Sequence, residues 1–445
     1  MTRAKIAAGA SAAVLVLLAF AASQRACEKD ADPAATSPSV TPSPAVASST
    51  PAAAEEAHPD FLYGRIAAVG GAVYEGRLRW GEKGDQEAFW GDYFNGSKAK
   101  NPWAAYVPPG RLPTEPRPIE VFGIEVPIHR ERPISLGRFF MARFGDIARI
   151  EARGRDVRVI LKSGTGFDLD RFGASDFDDG VRVWDGSRGV ISLDSLEIRT
   201  IQFFPAARIG AVPGRLRGTV RTRQGDFTGF LQWDREACVG SDELDGRTGD
   251  GKVHLRFDTL RSIARRSPDS AQVTLLDGRE IVLSGTSEVG KDNRGVYVDD
   301  PRYGRVLISW DAFERVDFSP GGPGDPGDIG PAYGDFPPGR PLAGSVTTRD
   351  GRRLAGRLVY DLDESETTET LDAPSQGVDY TIPFGLIASI VPPGRVTLQN
   401  GEELQLEPTG DLGEKNAGIL IFVKGGERPE YVPWTDVAQV DFDSR

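Results

Sequence analysis

A pattern of short β-strands and glycine turns recurs along this chain, and the self-similarity limits the possible folds more than any other feature. The clearest copy runs from Val273 to Phe318. Hydrophobic residues alternate with polar ones on both sides of the turn dipeptide Asp277-Gly278, namely Val273, Leu275, Ile281 and Leu283. This alternation predicts a β-hairpin. The copy ends with hydrophobic residues spaced by three and then by two, which predicts one helical turn and a last strand: Trp310, Phe313, Val316 and Phe318.

The pattern occurs in two alternating variants, which we call first and second halves. First halves share two glycines followed by an aromatic residue: Gly64, Gly76 and Trp80; Gly218, Gly229 and Trp233; Gly344, Gly356 and Tyr360. Second halves share a valine, a turn glycine and a phenylalanine: Val159, Gly164 and Phe203; Val273, Gly278 and Phe318; Val396, Gly401 and Phe442. Units this short are marginally stable alone and are expected to pack in pairs. The sequence therefore predicts three tandem repeats, each made of two halves.

The repeats also set the expected domain boundaries. Repeat 1 covers residues 61–205 and carries a Pro- and aromatic-rich insertion at about 95–134. Repeat 2 covers residues 214–318, a Gly/Pro-rich linker covers 319–340, and repeat 3 covers 341–445. No long stretch has the periodicity of an amphipathic helix. We therefore expect an all-β protein.

The N-terminal region carries a targeting signal. Residues 1–23 combine a basic start with a short apolar run, and residues 24–60 are an Ala/Pro/Ser/Thr-rich tether too polar to form a core. Cleavage of the signal is the favoured outcome, while retention as an anchor and lipidation of Cys27 remain alternatives. We expect an exported protein, periplasmic or otherwise attached to the cell envelope, that meets a membrane only through this segment.

The half-units, with their glycine turns and a closing aromatic-x-x-aliphatic-x-x-aliphatic pattern, resemble the SH3-like and Sm-like small barrels from about Leu62 to Phe442. The resemblance implies that each repeat is a pair of small barrels, although one larger sandwich per repeat fits the strand count equally well. Whole repeats of the form GxVxTRxG…GxLxWD also resemble those of uncharacterised bacterial envelope proteins. The RNA binding of the Sm family is not expected, because the net charge is -12 and the pI is about 5.0.

An acidic loop follows the second strand of each first half. The candidate binding residues are Asp234, Glu236, Asp242 and Asp245 in repeat 2, with Asp361 and Asp363 in repeat 3. Clustered carboxylates suit Ca²⁺, although none of these loops has the EF-hand spacing. The alternative is a solvated loop that keeps an acidic protein soluble.

An aromatic cluster in repeat 1 provides a second candidate site, formed by Trp90, Tyr93 and Trp103. Exposed rings near carboxylates can stack on sugar faces, which suits an envelope protein that touches glycan. The same rings can instead form the small core of the insertion, since aromatic side chains bury large apolar areas.

Enzymatic motifs are missing from the sequence. There is no G-x-S-x-G elbow, no H-E-x-x-H and no Walker A loop, and only three histidines are present. The two cysteines exclude a disulfide framework. We therefore expect a non-enzymatic protein without a cofactor, whose modules bind or scaffold an envelope protein or a wall polymer. Two alternatives are a Ca²⁺ or small-ligand binding module and a carboxylate-based glycan hydrolase.

Overall fold

The computed structural model describes residues 59–81, 88–108, 110–111, 114–121, 124–133, 139–173, 175–206, 214–319 and 329–444. All of them belong to one compact unit, Pro51–Arg445. The described chain is nearly all β, as the sequence predicts, and its only α-helix is α1, Ser175–Asp178. Within these residues no helix has the length and apolar character needed to cross a bilayer. The predicted signal at 1–23, Cys27 and the tether up to residue 58 lie outside the described residues.

The first twelve strands form one large and two small antiparallel sheets. They are β1 (Tyr63–Ala68), β2 (Val73–Trp80), β3 (Tyr93–Ser97), β4 (Thr114–Val121), β5 (Ile124–Pro133), β6 (Phe139–Arg143), β7 (Ile147–Arg153), β8 (Asp156–Leu161), β9 (Gly166–Asp170), β10 (Val181–Asp185), β11 (Gly189–Leu193) and β12 (Ile198–Phe203). The large sheet, which we call the N-terminal sheet, has the order β11-β10-β2-β1-β12-β7-β8-β9. The small sheets are β3-β6 and β4-β5, and they arise around the predicted insertion.

The remaining strands form two further antiparallel sheets. They are β13 (Arg217–Thr222), β14 (Gly225–Trp233), β15 (Glu243–Thr248), β16 (Gly251–Arg256), β17 (Leu260–Ser267), β18 (Ser270–Leu275), β19 (Glu280–Ser284), β20 (Val296–Asp300), β21 (Gly304–Ile308), β22 (Phe313–Phe318), β23 (Ala343–Thr348), β24 (Arg353–Val359), β25 (Thr370–Ser375), β26 (Val378–Pro383), β27 (Ile387–Val391), β28 (Arg395–Leu398), β29 (Glu403–Gln405), β30 (Ile419–Val423), β31 (Glu430–Val432) and β32 (Val437–Phe442). The central sheet has the order β16-β15-β19-β18-β17-β22-β13-β14-β20-β21-β26-β25. The C-terminal sheet has the order β29-β28-β27-β32-β23-β24-β30-β31.

One order of eight strands occurs in all three large sheets. In the central sheet it runs from β19 to β21, and it matches the complete N-terminal and C-terminal sheets strand for strand. The hairpin predicted around Asp277-Gly278 is confirmed as β18-β19, in which Val273 pairs with Ile281 and Gly278 has φ +89°.

Glycine is required in β2, β14 and β24, where the backbone of each strand comes very close to the adjacent strand. A Cβ atom at Gly76, Gly229 or Gly356 would overlap a carbonyl oxygen of the adjacent strand, that of Trp184, Asp299 or Phe422 respectively. The glycines of the first halves are therefore explained by close backbone approach.

Short 3₁₀ helices lie between many of the strands. They cover Trp103–Tyr106, Phe144–Asp146, Ser195–Glu197, Phe257–Thr259, Ser287–Val289, Tyr333–Asp335, Phe384–Leu386, Gly410–Leu412 and Trp434–Asp436. Those starting at Phe144, Phe257 and Phe384 coincide with the aromatic-x-x-aliphatic pattern and bury the phenylalanine ring at their first position. At the end of the clearest copy a hydrogen-bonded turn replaces the helix, since Phe313 N–H donates to the Ser309 carbonyl at 2.9 Å.

The central and C-terminal sheets share a hydrophobic core, whereas the N-terminal sheet has its own. Strand β21 pairs directly with β26, so a hairpin from the predicted third repeat completes the central sheet. Residues 329–340, the described end of the predicted linker, pack against the N-terminal sheet instead. Phe336 is buried in that core, and Lys162 Nζ donates to the carbonyls of Tyr333 at 2.5 Å and Phe336 at 2.9 Å.

Candidate functional site

Three carboxylates in the acidic loops act as structural caps. Each one accepts the backbone N–H groups of the residues three and four positions earlier. Asp92 accepts them at 2.9 and 3.0 Å, Asp242 at 2.8 and 3.0 Å, and Glu369 at 2.6 and 3.0 Å. These hydrogen bonds satisfy backbone N–H groups that would otherwise have no partner within the turn. Part of the acidic pattern in the sequence therefore serves folding.

A second set of carboxylates accepts hydrogen bonds from the backbone of a nearby strand, which is β3, β15 or β25. Asp176, Glu288 and Asp411 accept the backbone N–H of Asn95, Asp245 and Asp372, respectively. The backbone carbonyls of the same three residues accept a hydrogen bond from a buried aromatic ring, that of Trp80, Trp233 or Tyr360. The aromatic residues conspicuous in the sequence are thus core residues tied to the acidic loops.

Glu288 is a useful probe of these loops, because burial raises the pKa of its carboxyl group to about 7, although the hydrogen bond from the Asp245 N–H opposes the rise. Between its unfolded pKa near 4.5 and the folded value, the native state binds more protons, so stability falls as pH increases. We expect Glu288→Gln to be more stable than the wild type by about 1 kcal/mol at pH 8, a value discounted for the partial solvation of the carboxyl. The difference should vanish below about pH 4.5.

Urea unfolding between pH 4 and pH 8 measures this effect. The exposed residue Glu403 provides the control, and Glu403→Gln should show no such pH dependence. A constant difference between Glu288→Gln and the wild type across that range would contradict the prediction.

The acidic loops of the central and C-terminal sheets surround two small pockets. The central acidic pocket, of about 210 Å³, is lined by Arg79, Asp234, Glu236, Asp242, Glu243 and Glu288. The C-terminal acidic pocket, of about 130 Å³, is lined by Lys98, Asp361, Asp363, Glu364, Glu369, Asp372 and Asp411. Each pocket receives one cationic side chain from the N-terminal part of the chain. Lys98 Nζ lies 2.7 Å from Asp363 Oδ1 and 3.0 Å from Glu369 Oε1. All three side chains are buried, so these ion pairs are largely shielded from solvent.

The remaining candidates from the sequence lie elsewhere. Asp245 faces His254 on the β15-β16 hairpin, with Oδ1 2.6 Å from the ring Nδ1. Together with Glu243 these side chains form an exposed group with possible metal-ligand spacing. Trp90 and Tyr93 are buried, whereas half-buried Trp103 packs against Phe422 at a ring distance of 6.0 Å.

A cavity of about 920 Å³ lies between the small sheet β3-β6, the central sheet, loop residues 367–368 and 385–386, and residues 329–340. We call it the arginine cavity, because five arginines line it: Arg143, Arg215, Arg217, Arg302 and Arg340. Three aspartates balance part of this charge: Asp299, Asp300 and Asp335. Its apolar walls include Phe230, Phe336 and several prolines. The arginines outnumber the aspartates in this lining, so the cavity is locally positive in a chain of net charge -12.

Packing holds most of these arginines in place. The guanidinium of Arg215 lies between the rings of Phe89 and Phe230, at 3.7 and 4.2 Å from their centroids. Arg302 forms a bidentate pair with Asp300, at 3.0 and 2.7 Å. The exposed side chain of Arg340 makes no ion pair within the described residues. An arginine-lined cavity with Arg340 outside any ion pair of the described residues can bind a carboxylate or phosphate group.

The acidic pockets contain five of the predicted candidates, Asp234, Glu236, Asp242, Asp361 and Asp363, but the sequence does not predict their other residues or the five arginines. Lys98 and Arg79 carry no signal in their local sequence, because each acts on a loop far along the chain. Glu288 and Asp411 do have one: each lies at the short 3₁₀ helix before the strand that pairs with the second strand of a first half. The five arginines come from four separate parts of the chain and form no motif.

The geometry thus defines an all-β protein with two acidic pockets and one arginine cavity. Comparison with protein-family models, curated proteins and solved structures gives no significant match.

Proposed function

We propose that the chain is a non-enzymatic binding protein of the cell envelope, and that the arginine cavity holds an acidic segment of a wall polymer. The observation that carries the proposal is the array of five arginines on an apolar floor in an otherwise acidic chain. Guanidinium groups bind carboxylate and phosphate oxygens in a defined geometry, and aromatic or proline walls suit the C–H faces of sugar rings.

The shape of the cavity favours a polymer segment over a protein surface. A stable protein interface needs about 800 Å² of well-matched surface on each partner. The cavity is concave instead and has the volume of a typical small-ligand site, about 920 Å³. Export and a disordered tether, both predicted from the sequence, would present such a site to the wall.

We also propose that the three large sheets are copies of one unit, each equivalent to a pair of small barrels. The shared order of eight strands supports this interpretation, as do the equivalent carboxylate caps at Asp92, Asp242 and Glu369. The first copy then supplies the cationic residues that enter the acidic loops of the other two, and the arginine cavity forms where all three meet.

Calorimetric titration of the purified chain with defined oligosaccharides tests the proposed function. We expect a fragment bearing uronic acid or phosphodiester groups to bind, a neutral fragment of equal length to bind at least ten-fold more weakly, and affinity to fall with salt. Arg340→Ala should weaken binding of the acidic fragment five- to ten-fold, or about 1 kcal/mol. Only the backbone of Arg340 bonds to Thr367, so this change should spare the fold.

Arg395→Ala is the matched control, since Arg395 is exposed and does not line the cavity. Equal binding of acidic and neutral fragments, or equal losses in the two arginine variants, would remove the cavity from the proposal. If cavity residues cross-link to one protein in cells, that protein and not a wall polymer is the partner of the cavity.

A further inference from the structure

The C-terminal acidic pocket holds more negative charge than its cation can balance. Six carboxyl groups line it, and the ammonium group of Lys98 is the only cationic group among its lining residues. Burial alone would lower the pKa of Lys98, but Glu369 and Asp363 raise it above its usual value, so the ammonium remains charged. One ammonium group therefore faces six carboxyl groups in a largely buried pocket.

Several of these carboxyl groups have hydrogen-bond donors, but one oxygen has none. Asp411 accepts the N–H of Asp372 at 2.7 Å, and Asp372 accepts hydroxyl donors from Thr370 and Thr381 at 3.1 and 2.8 Å. Glu364 is only 9% exposed, and its Oε2 atom is buried without a hydrogen-bond partner in the described structure.

The turn that carries Glu364 does not need a carboxylate. In the central sheet the same turn carries Ala237: Trp233 N–H donates to the Ala237 carbonyl at 2.8 Å, as Tyr360 N–H does to that of Glu364 at 2.8 Å. Alanine therefore supports the same backbone geometry, and the buried carboxylate of Glu364 brings a desolvation cost with no gain to the turn. A group that destabilises the fold and serves no local purpose is expected to serve a ligand.

We propose that the C-terminal acidic pocket binds one divalent hard cation, for which Ca²⁺ is the best candidate, with Glu364 supplying a ligand oxygen beside Lys98. Ca²⁺ takes six to eight oxygen ligands in flexible geometry, which suits aspartate and glutamate side chains contributed by separate loops. The pocket, of about 130 Å³, has room for an ion and a few waters. The inference is independent of the proposed anion site.

Titration of the purified chain with CaCl₂ and MgCl₂, by calorimetry and equilibrium dialysis, tests this inference. We expect one Ca²⁺ per chain with a Kd of about 10⁻⁶–10⁻³ M and weaker Mg²⁺ binding, because Mg²⁺ demands stricter octahedral geometry. Glu364→Gln preserves the shape of the side chain and should weaken Ca²⁺ binding at least ten-fold. Lys98→Met removes a repulsive charge and should tighten it about ten-fold.

Glu288→Gln is the matched control: it removes a partly buried carboxylate from the central acidic pocket and should leave Ca²⁺ affinity unchanged. The melting temperature of Lys98→Met shows whether this variant is folded. Ca²⁺ should raise it more than it raises that of the wild type, because the variant binds the ion more tightly. The inference is overturned if neither the wild type nor Lys98→Met takes up Ca²⁺ at millimolar concentration, or if Glu364→Gln binds as the wild type does. In those cases protons alone balance the pocket.

Discussion

An Arg305→Met variant is expected to lose about 3–5 kcal/mol of unfolding free energy, because it leaves the buried carboxylate of Asp92 without its cation. Arg305 is 8% exposed, and its guanidinium lies 2.7 Å from Asp92 Oδ1 and 2.7 Å from Asp299 Oδ1. The two aspartates raise the pKa of Arg305 despite its burial, so the group is charged at every accessible pH. The pair with Asp92 joins the central sheet to the N-terminal part of the chain, and urea unfolding measures the loss.

A double variant separates the lost charge pair from lost packing. Asn at position 92 keeps an oxygen for the backbone N–H groups of Ala88 and Phe89 but carries no charge. We expect Asp92→Asn to rescue part of the defect of Arg305→Met, giving a coupling energy above about 1 kcal/mol. Additive losses would show that Arg305 acts through packing alone.

A Trp233→Ala variant is also expected to lose about 3–5 kcal/mol of unfolding free energy, and to destabilise both the central and the C-terminal sheet. The indole is 1% exposed and lies 5.3 Å from the ring of Phe313, in the core that the central and C-terminal sheets share. Because that core is continuous, a cavity beneath the central sheet should also weaken the C-terminal sheet. Hydrogen exchange of peptides from residues 343–442 measures the spread.

Trp80→Ala provides the matched comparison. Trp80 occupies the equivalent position in the N-terminal sheet and is also fully buried, but it belongs to the separate core of that sheet. We expect Trp80→Ala to reduce protection from hydrogen exchange mainly within residues 63–203. Unchanged protection of residues 343–442 in Trp233→Ala would contradict the shared core.

The strands could be predicted from the sequence because their signals are local. Alternating hydrophobic residues and a turn glycine are sufficient to place β18 and β19, since period and turn type depend only on adjacent residues. The spacing after Phe144, Phe257 and Phe384 likewise predicts the short helical turns. The glycines at Gly76 and Gly229 were visible as a pattern, although their reason, a close backbone crossing, needed the sheet.

The sites could be predicted only in part. The acidic loops were evident, yet their sequence does not distinguish a carboxylate that caps a turn, such as Asp242, from one with no donor, such as Glu364. The sequence does not show whether an aromatic candidate is exposed. Trp90 and Tyr93 are buried, and Trp103 packs on a sheet distant in sequence. No local signal marks Lys98 as the cation of the C-terminal pocket.

By itself, the sequence determined the β content, the β18-β19 hairpin, the short helical turns and the acidic character of the loops, all of which follow from interactions between residues close along the chain. The tertiary structure decided that β26 completes the central sheet, that Lys98 enters a distant acidic loop and that five arginines meet in one cavity. These outcomes depend on how preformed sheets pack. Packing energy is set by shape and charge across surfaces far apart in sequence, so no local pattern encodes it.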